Sequence, residues 1–323
     1  MRQQPLLIVD NLNVAVSTPH GMNHTVHNVN LKLEAGKVLG LVGESGSGKT
    51  MTCMSLLNLL PEKAEVMQGN IKFKDIDLLN CPTEDMRKVR GSEIALIMQN
   101  PMIAFNPVRT IERHFIETLR THLTVTKRQA RKIAVDFLGE MDLPNPESVL
   151  KQYPFQLSGG MLQRVMIAIT MSLNPSVLIA DEPTTALDAT NQLQVLKQLD
   201  KLRKEYNTGI LLVSHDLGVI AQLADEVAVM YGGYIVEQAP VLELFNHPKH
   251  PYTRVLLESR LGLTRRKMKS EKQVNVSRPN LIHSENACPF IERCGDADHT
   301  CLSYNLEFIE YKKDHLVRCV KSR

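Results

Sequence analysis

Tryptophan is missing from this chain altogether, and Phe and Tyr are so few that aromatics reach only 5%. That scarcity argues against a surface built of aromatic platforms for nucleic acid or carbohydrate. Charge of one sign is scarce too. The 38 Lys and Arg nearly balance 35 Asp and Glu, and a formal net of +3 predicts no polyanion partner. No apolar run approaches the ~20 residues of a membrane-spanning helix. The longest compact apolar stretches, such as Ile94–Met98 and Val177–Ala180, have strand length. The N-terminal MRQQPLLIVDNLNV breaks its short apolar part with polar residues and an acid, unlike a secretory signal. These absences lead to an expectation of a cytosolic protein whose membrane connection, if any, runs through a partner.

What is present is an ordinary globular composition, 43% hydrophobic and 23% charged over 323 residues, enough for one large core and a small appended domain. Leu6–Val16 and the alternating Val29–Leu33 read as strands, and Val38–Val42 as a buried strand after a turn at Glu34–Lys37. A Gly-rich loop then opens a helix predicted over Thr50–Leu60, stopped by Pro61. From about residue 101 to 156 the texture becomes helical, with apolar residues at three-to-four spacing in Ile111–Leu123 and Arg128–Met141. This stretch reads as a helical subdomain inserted into an α/β core. The α/β pattern resumes with helix Gly160–Leu173, strand Val177–Asp181, helix Asn191–Lys204, strand Gly209–Ser214, a short helix and strand Glu226–Tyr231. Beyond Leu261 lie a basic polar linker, Thr264–Ser277, and a Cys-containing tail. The predicted division is therefore 1–260 and 261–323.

Gly43-Glu44-Ser45-Gly46-Ser47-Gly48-Lys49-Thr50 fits G-x4-G-K-[ST] between a predicted strand and a predicted helix. Glycines let successive N–H groups turn inward around phosphate oxygens, and the helix N-terminus adds its dipole. Lys49 would reach the β- and γ-phosphates, and the Thr50 hydroxyl would ligate Mg²⁺. The apolar strand Val177–Ala180 ends in two carboxylates, Asp181 and Glu182. Alone, such an end reads as a turn or helix cap. In an open α/β sheet, however, ligands sit at the carboxyl ends of strands, which puts this pair beside the phosphate loop. Asp181 then suits Mg²⁺ coordination through water, and Glu182 suits polarisation of the attacking water.

Leu157-Ser158-Gly159-Gly160, followed by Gln163 and Arg164 about twenty residues before the acidic strand, resembles the signature of the ABC ATPases. Other motifs follow the same resemblance: Gln99 after an apolar strand is similar to the glutamine loop, Ala186-Leu187-Asp188 to the D-loop, and His215 in Leu-Leu-Val-Ser-His-Asp to the switch histidine. The resemblance covers residues 5–260 and implies a P-loop NTPase core with an N-terminal β subdomain and an inserted helical subdomain. It also implies a head-to-tail pair in which Gly43–Thr50 of one subunit faces Ser158–Gly160 of its partner across two ATPs. Glu182 would be the base or water-polarising residue, His215 would hold the γ-phosphate, and Gln99 would sense Mg²⁺ and link the site to a membrane permease. ATP contacts made only in the closed pair would drive closure. One departure is the adenine-stacking aromatic, absent from Thr18–His24, where His20 is the candidate substitute.

Phe245-Asn-His-Pro248-Lys-His250-Pro251-Tyr252-Thr253 resembles the end of the core in peptide/nickel-type import ATPases, and Cys288, Cys294, Cys301 and Cys319 resemble their tail domain. The implied partners are two permease subunits, a second ATP-binding subunit and an extracytoplasmic binding protein, with no nucleic acid, at the cytoplasmic face of the membrane. Ile97-Met-Gln-Asn-Pro101 and the Met161-Leu162 version of the signature favour nickel or a metal–chelator complex as cargo, with di- or oligopeptides the alternative. Soluble ABC ATPases of translation or repair form another class, but usually carry two cassettes or a long coiled coil. A non-catalytic subunit would have lost Glu182 or His215.

Six cysteines in a reducing compartment do not predict disulfides. Cys53 and Cys81 read as small apolar residues. The tail spacings x5, x6 and x17 do not fit the C-x2–4-C of structural zinc. A [4Fe-4S] cluster, which the resemblance implies, zinc and unligated thiols all remain open. His299 and His315 read as solvent-facing structural residues, and the basic Arg265–Lys272 as a solvated linker rather than a lipid contact.

Overall fold

A computed structural model describes residues 4–185, 187–260, 287–302 and 307–322. The linker Thr264–Ser277 and Ala186 of the D-loop stretch lie outside the described residues. In chain order the strands are β1 (Leu7–Thr18), β2 (Gly21–Leu33), β3 (Val38–Val42), β4 (Ala64–Phe73), β5 (Ile76–Asp77), β6 (Ile94–Ile97), β7 (Val177–Asp181), β8 (Gly209–Ser214), β9 (Glu226–Tyr231), β10 (Tyr234–Pro240), β11 (Ile309–Lys312) and β12 (His315–Val317).

The large sheet runs β11-β12-β10-β9-β3-β8-β7-β6, parallel from β9 to β6 and antiparallel from β9 through β10 and β12 to β11. Its parallel strands are buried on both faces, as unbroken runs such as Val38–Val42 and Gly209–Ser214 require. Alternation sends Leu39, Leu41, Ile179, Leu211 and Val213 to one face. There they meet the antiparallel sheet β2-β1-β4-β5 and the Lys49–Leu56 helix. Val38, Val42, Leu178, Ala180 and Leu212 point the other way, into a core shared with the helical subdomain.

That subdomain comprises Pro101–Ala104, Ile111–His122, Lys127–Glu140 and Pro146–Lys151, with a short 3₁₀ turn at Pro154–Gln156. Phe115, Leu119, Ala130, Ala134 and Leu138 are fully buried and lie on the apolar faces the spacing predicts. The helix after the phosphate loop ends at Leu56, short of the predicted Leu60. Asn58 turns left-handed at φ 49° and Leu59 N–H donates to the Met54 carbonyl, closing the helix before Pro61 is reached.

The tail does not simply follow the core. β12 pairs with β10 at Glu237↔Val317, so residues from the far C-terminus extend the central sheet. His315, expected at the surface, is fully buried, and its Nε2 stands 2.8 Å from the buried Glu237 carboxylate. That carboxylate also accepts from Lys249 N–H at 2.8 Å and His250 N–H at 2.9 Å. A buried acid needs such donors, and His315 is one of them. His299 is exposed, as expected.

Candidate nucleotide site

The carboxyl ends of adjacent strands β7, β8 and β3 lead directly into Glu182, His215 and the phosphate loop. Backbone conformation makes the loop possible. Gly48 has φ +105°, and a Cβ there would stand 2.7 Å from both Thr25 O and Met230 Cε. A Cβ on Gly43 would lie 2.1 Å from Met230 O. Only glycine allows the loop to fold this tightly against β2 and β9.

Lys49 is buried, and its Nζ donates to the Gly43 and Glu44 carbonyls at 2.8 and 2.9 Å. Burial lowers its pKa, while Glu182 and Asp181 pull the other way. Ser47 Oγ is buried without a hydrogen-bond partner among the described residues, a donor available to a phosphate oxygen. The Thr50 hydroxyl donates to Asp181 Oδ2 at 3.1 Å. Burial raises the Asp181 pKa, the Thr50 hydroxyl opposes this, and neighbouring Glu182 adds to it. A hydroxyl beside a desolvated carboxylate is an oxygen-donor pair suited to Mg²⁺.

Glu182 adopts φ +49°, a left-handed conformation that a non-glycine residue holds only when its surroundings enforce it. Its carboxylate is held by three side chains. Gln99 Nε2 donates to Oε2 at 2.9 Å, Thr185 Oγ1 donates to Oε2 at 2.8 Å, and His215 Nδ1 lies 3.1 Å from Oε1. The four residues, drawn from the ends of three strands and the following turn, form one polar cluster. Thr185 escaped the sequence reading, although it follows the acidic pair within the same Pro-Thr-Thr turn.

Ser158 caps the Gly159–Met171 helix by accepting from Met161 N–H at 3.3 Å. Ser158 and Gly159 are exposed, while Gly160 is buried against Asn191. The helix start is thus open to an outside ligand. His20 sits at the exposed tip of the β1–β2 hairpin, bonded to Thr18 within the turn. The part of β2 against the phosphate loop is instead Thr25–Val26.

Four further side chains meet at the loop. Tyr252 Oη accepts from Glu44 N–H at 3.0 Å, and Arg293 forms a two-pronged pair with the Glu44 carboxylate at 2.8 and 3.0 Å. Tyr231, Tyr252 and Phe290 pack ring to ring beneath them, at centroid distances of 4.6 to 5.4 Å. Tyr252 stood in a recognised stretch, but nothing local to the sequence linked it or Arg293 to residue 44.

Cys288, Cys294, Cys301 and Cys319 line one small cavity. Burial pushes the Cys288 thiol up to about 11 and raises Cys294, with the other cysteines adding to both. Among the described residues no group of three or more His, Cys, Asp or Glu is close enough to hold a single metal ion. Cys53 is fully enclosed, and burial raises its thiol well above the ordinary range. Among the described residues no helix is long and apolar enough to cross a membrane.

Comparison with known proteins agrees with this geometry. Residues 26–185 match the family described as ABC transporter, and residues 236–301 match the oligopeptide/dipeptide transporter C-terminal region. The chain is 41% identical over 301 residues to the probable D,D-dipeptide transport ATP-binding protein DdpD of Escherichia coli, covering 92% of this chain and 91% of that one. It is 40% identical to the oligopeptide transport protein OppD of Haemophilus influenzae, with 92% and 91% covered. The dimeric ATP-binding cassette MJ0796 bound to ADP and Pi superposes with a TM-score of 0.66 at 23% identity, over 73% of this chain and 98% of that one. The expected lean towards nickel is not supported, because these relatives carry peptide names. The chain belongs to the ATP-binding subunits of the oligopeptide/dipeptide family of ABC importers, which hydrolyse ATP.

Proposed function

We propose that this subunit hydrolyses ATP to energise import of di- or oligopeptides. The observation that carries the cargo reading is the peptide naming of relatives aligned over more than nine-tenths of the chain. In this reading Gly43–Thr50 binds the phosphates, with Lys49 leaving the Gly43 and Glu44 carbonyls to reach them. Thr50 and Asp181 would hold Mg²⁺, with Gln99 beside them, and the ion would neutralise phosphate charge. Glu182 accepts the proton of the attacking water, while His215 turns from Glu182 to the γ-phosphate. The three side chains around the Glu182 carboxylate support this division of labour, since they fix its position while leaving it acceptor capacity for water. The exposed Ser158–Gly159 supports a facing arrangement, in which this signature closes the nucleotide bound by a second ATP-binding subunit. Two permeases and an extracytoplasmic binding protein complete the assembly, with this chain peripheral on the cytoplasmic side.

The four tail cysteines support an iron–sulfur cluster better than zinc. The four thiols line one cavity. Their x5, x6 and x17 spacings depart from the C-x2–4-C of structural zinc, whereas a cluster of several irons accepts looser spacing. Such a cluster would cross-link the tail to itself. Anaerobic purification should yield iron and acid-labile sulfide in equal amounts, lost in Cys301→Ser. Zinc instead, or neither, would refute the assignment.

Cargo is tested by uptake of a labelled dipeptide and of nickel, in cells carrying the wild type or Lys49→Ala. Loss of dipeptide uptake alone is expected. Loss of nickel uptake alone would overturn the peptide reading and leave the ATPase assignment standing.

A further inference from the structure

Every polar group of Glu44 is engaged, and the partners come from opposite ends of the chain. Its N–H donates to Tyr252 Oη, and its carbonyl accepts from Lys49 Nζ. Its carboxylate is gripped on both oxygens by Arg293, whose Nη1 also donates to Tyr231 Oη at 3.4 Å. The guanidinium sits 5.6 Å from the Tyr231 ring and 5.6 Å from the Phe290 ring, which fixes its plane. Phe290 is itself buried against Tyr231 and Tyr252. Arg293 immediately precedes Cys294, which lines the cysteine cavity. The tail therefore reaches the carboxyl ends of the central strands β9 and β3 and holds the second residue of the phosphate loop.

We infer that Arg293 is a positioning residue for nucleotide, supplied by the cysteine-containing tail, and that it acts by neutralising and fixing Glu44. The inference rests on the phosphate-loop reading above. Glu44 lies in the field of Lys49, so an unpaired carboxylate there would stand beside the charges of a bound triphosphate. An ordinary exposed ion pair contributes little. This one differs in being two-pronged, ring-supported and attached to the loop that binds phosphate. The same geometry makes the tail a gauge. Whatever shifts the turn from Cys288 to Cys294 shifts Arg293 and frees the Glu44 charge.

The sign of the effect makes the test specific. Binding of a fluorescent ATP analogue with Mg²⁺ is titrated on the full chain: wild type, Arg293→Ala, Arg293→Gln, Glu44→Gln and Arg293→Ala/Glu44→Gln, with Lys49→Ala as control and thermal melting to confirm folding. Arg293→Ala and Arg293→Gln should each weaken binding about three- to fivefold, the scale of one partly exposed ion pair. Glu44→Gln alone sets the reference for the double variant, since it leaves Arg293 no carboxylate to neutralise. Added to Arg293→Ala, it should restore binding to within about twofold of wild type, since the repelling charge is gone. A merely structural Arg293 would show no such rescue. Unchanged affinity in both Arg293 variants, or a double variant no better than Arg293→Ala, would overturn the inference while leaving the nucleotide site intact. No binding by the wild type would instead remove the phosphate-loop reading itself.

Discussion

At the scale of single residues, the chemistry was legible wherever it is written in contiguous motifs. Lys49, Thr50, Asp181 and Glu182 could be named because phosphate binding and water activation call for those groups at strand ends, and His215 through its resemblance to the switch histidine. Partners brought together by folding were not visible. Arg293, which reaches Glu44 from 249 positions away, is the clearest case; Thr185 is local to Glu182 and donates to it at 2.8 Å, but no motif marks it. Thr185→Val should lower kcat about tenfold, the worth of one hydrogen bond to a charged group. ATP affinity should stay within about twofold, and Thr185→Ser should recover most of the rate in steady-state assays. A change in affinity with kcat intact would contradict the role. His250 carries a second prediction. Burial lowers its pKa to about 4, with Glu237 opposing and Arg254 reinforcing, and its Nδ1 accepts from Tyr252 N–H. Between pH 6.5 and about 4 the unfolded chain binds a proton that the folded chain refuses. This contribution is full above pH 6.5 and fades as pH falls towards 4, by on the order of 3 kcal/mol. Urea midpoints at pH 7.5 and 5 should diverge more for the wild type than for His250→Asn, and equal divergence would contradict the account.

At the scale of elements, the buried parallel strands β3, β7, β8 and β9 and the amphipathic subdomain helices could be read locally, because one period governs each. β4 hid because Met67-Gln68-Gly69-Asn70 breaks alternation, and its register with β1 shifts between Asp10 and Asn13. β10 hid because Glu237 and Gln238 look wrong for a buried strand. Glu237 is answered 78 positions on by His315 of β12, and Gln238 by Glu226 of β9. Pairing at such separation leaves no local trace. Both partners are fully buried, so His315→Ala strips a donor from an enclosed carboxylate and should cost about 3 kcal/mol. Urea unfolding reads the loss, and limited proteolysis should cut the tail faster. An unchanged midpoint would show that the pair does not hold β12 to the sheet.

At the scale of the whole molecule, one sheet carries the account from strand ends to tail. Its parallel half aims Glu182, His215 and the phosphate loop at a common point, and its antiparallel half takes in the tail strands β11 and β12. Outside the strands, Tyr252 and the tail residue Arg293 hold the loop. Ser158 and Gly159 are exposed; in the proposed pair a second cassette would complete the site there, and closure would become the step that nucleotide drives. Peptide transport enters only when permeases couple that closure to the membrane. The most direct test measures ATP hydrolysis and labelled-peptide uptake together in vesicles containing the reassembled transporter, with wild type or Glu182→Gln in this subunit. The account predicts that Glu182→Gln still binds ATP and holds the cassettes closed, while hydrolysis at this site and uptake both collapse. Wild-type turnover and uptake in that variant would contradict it.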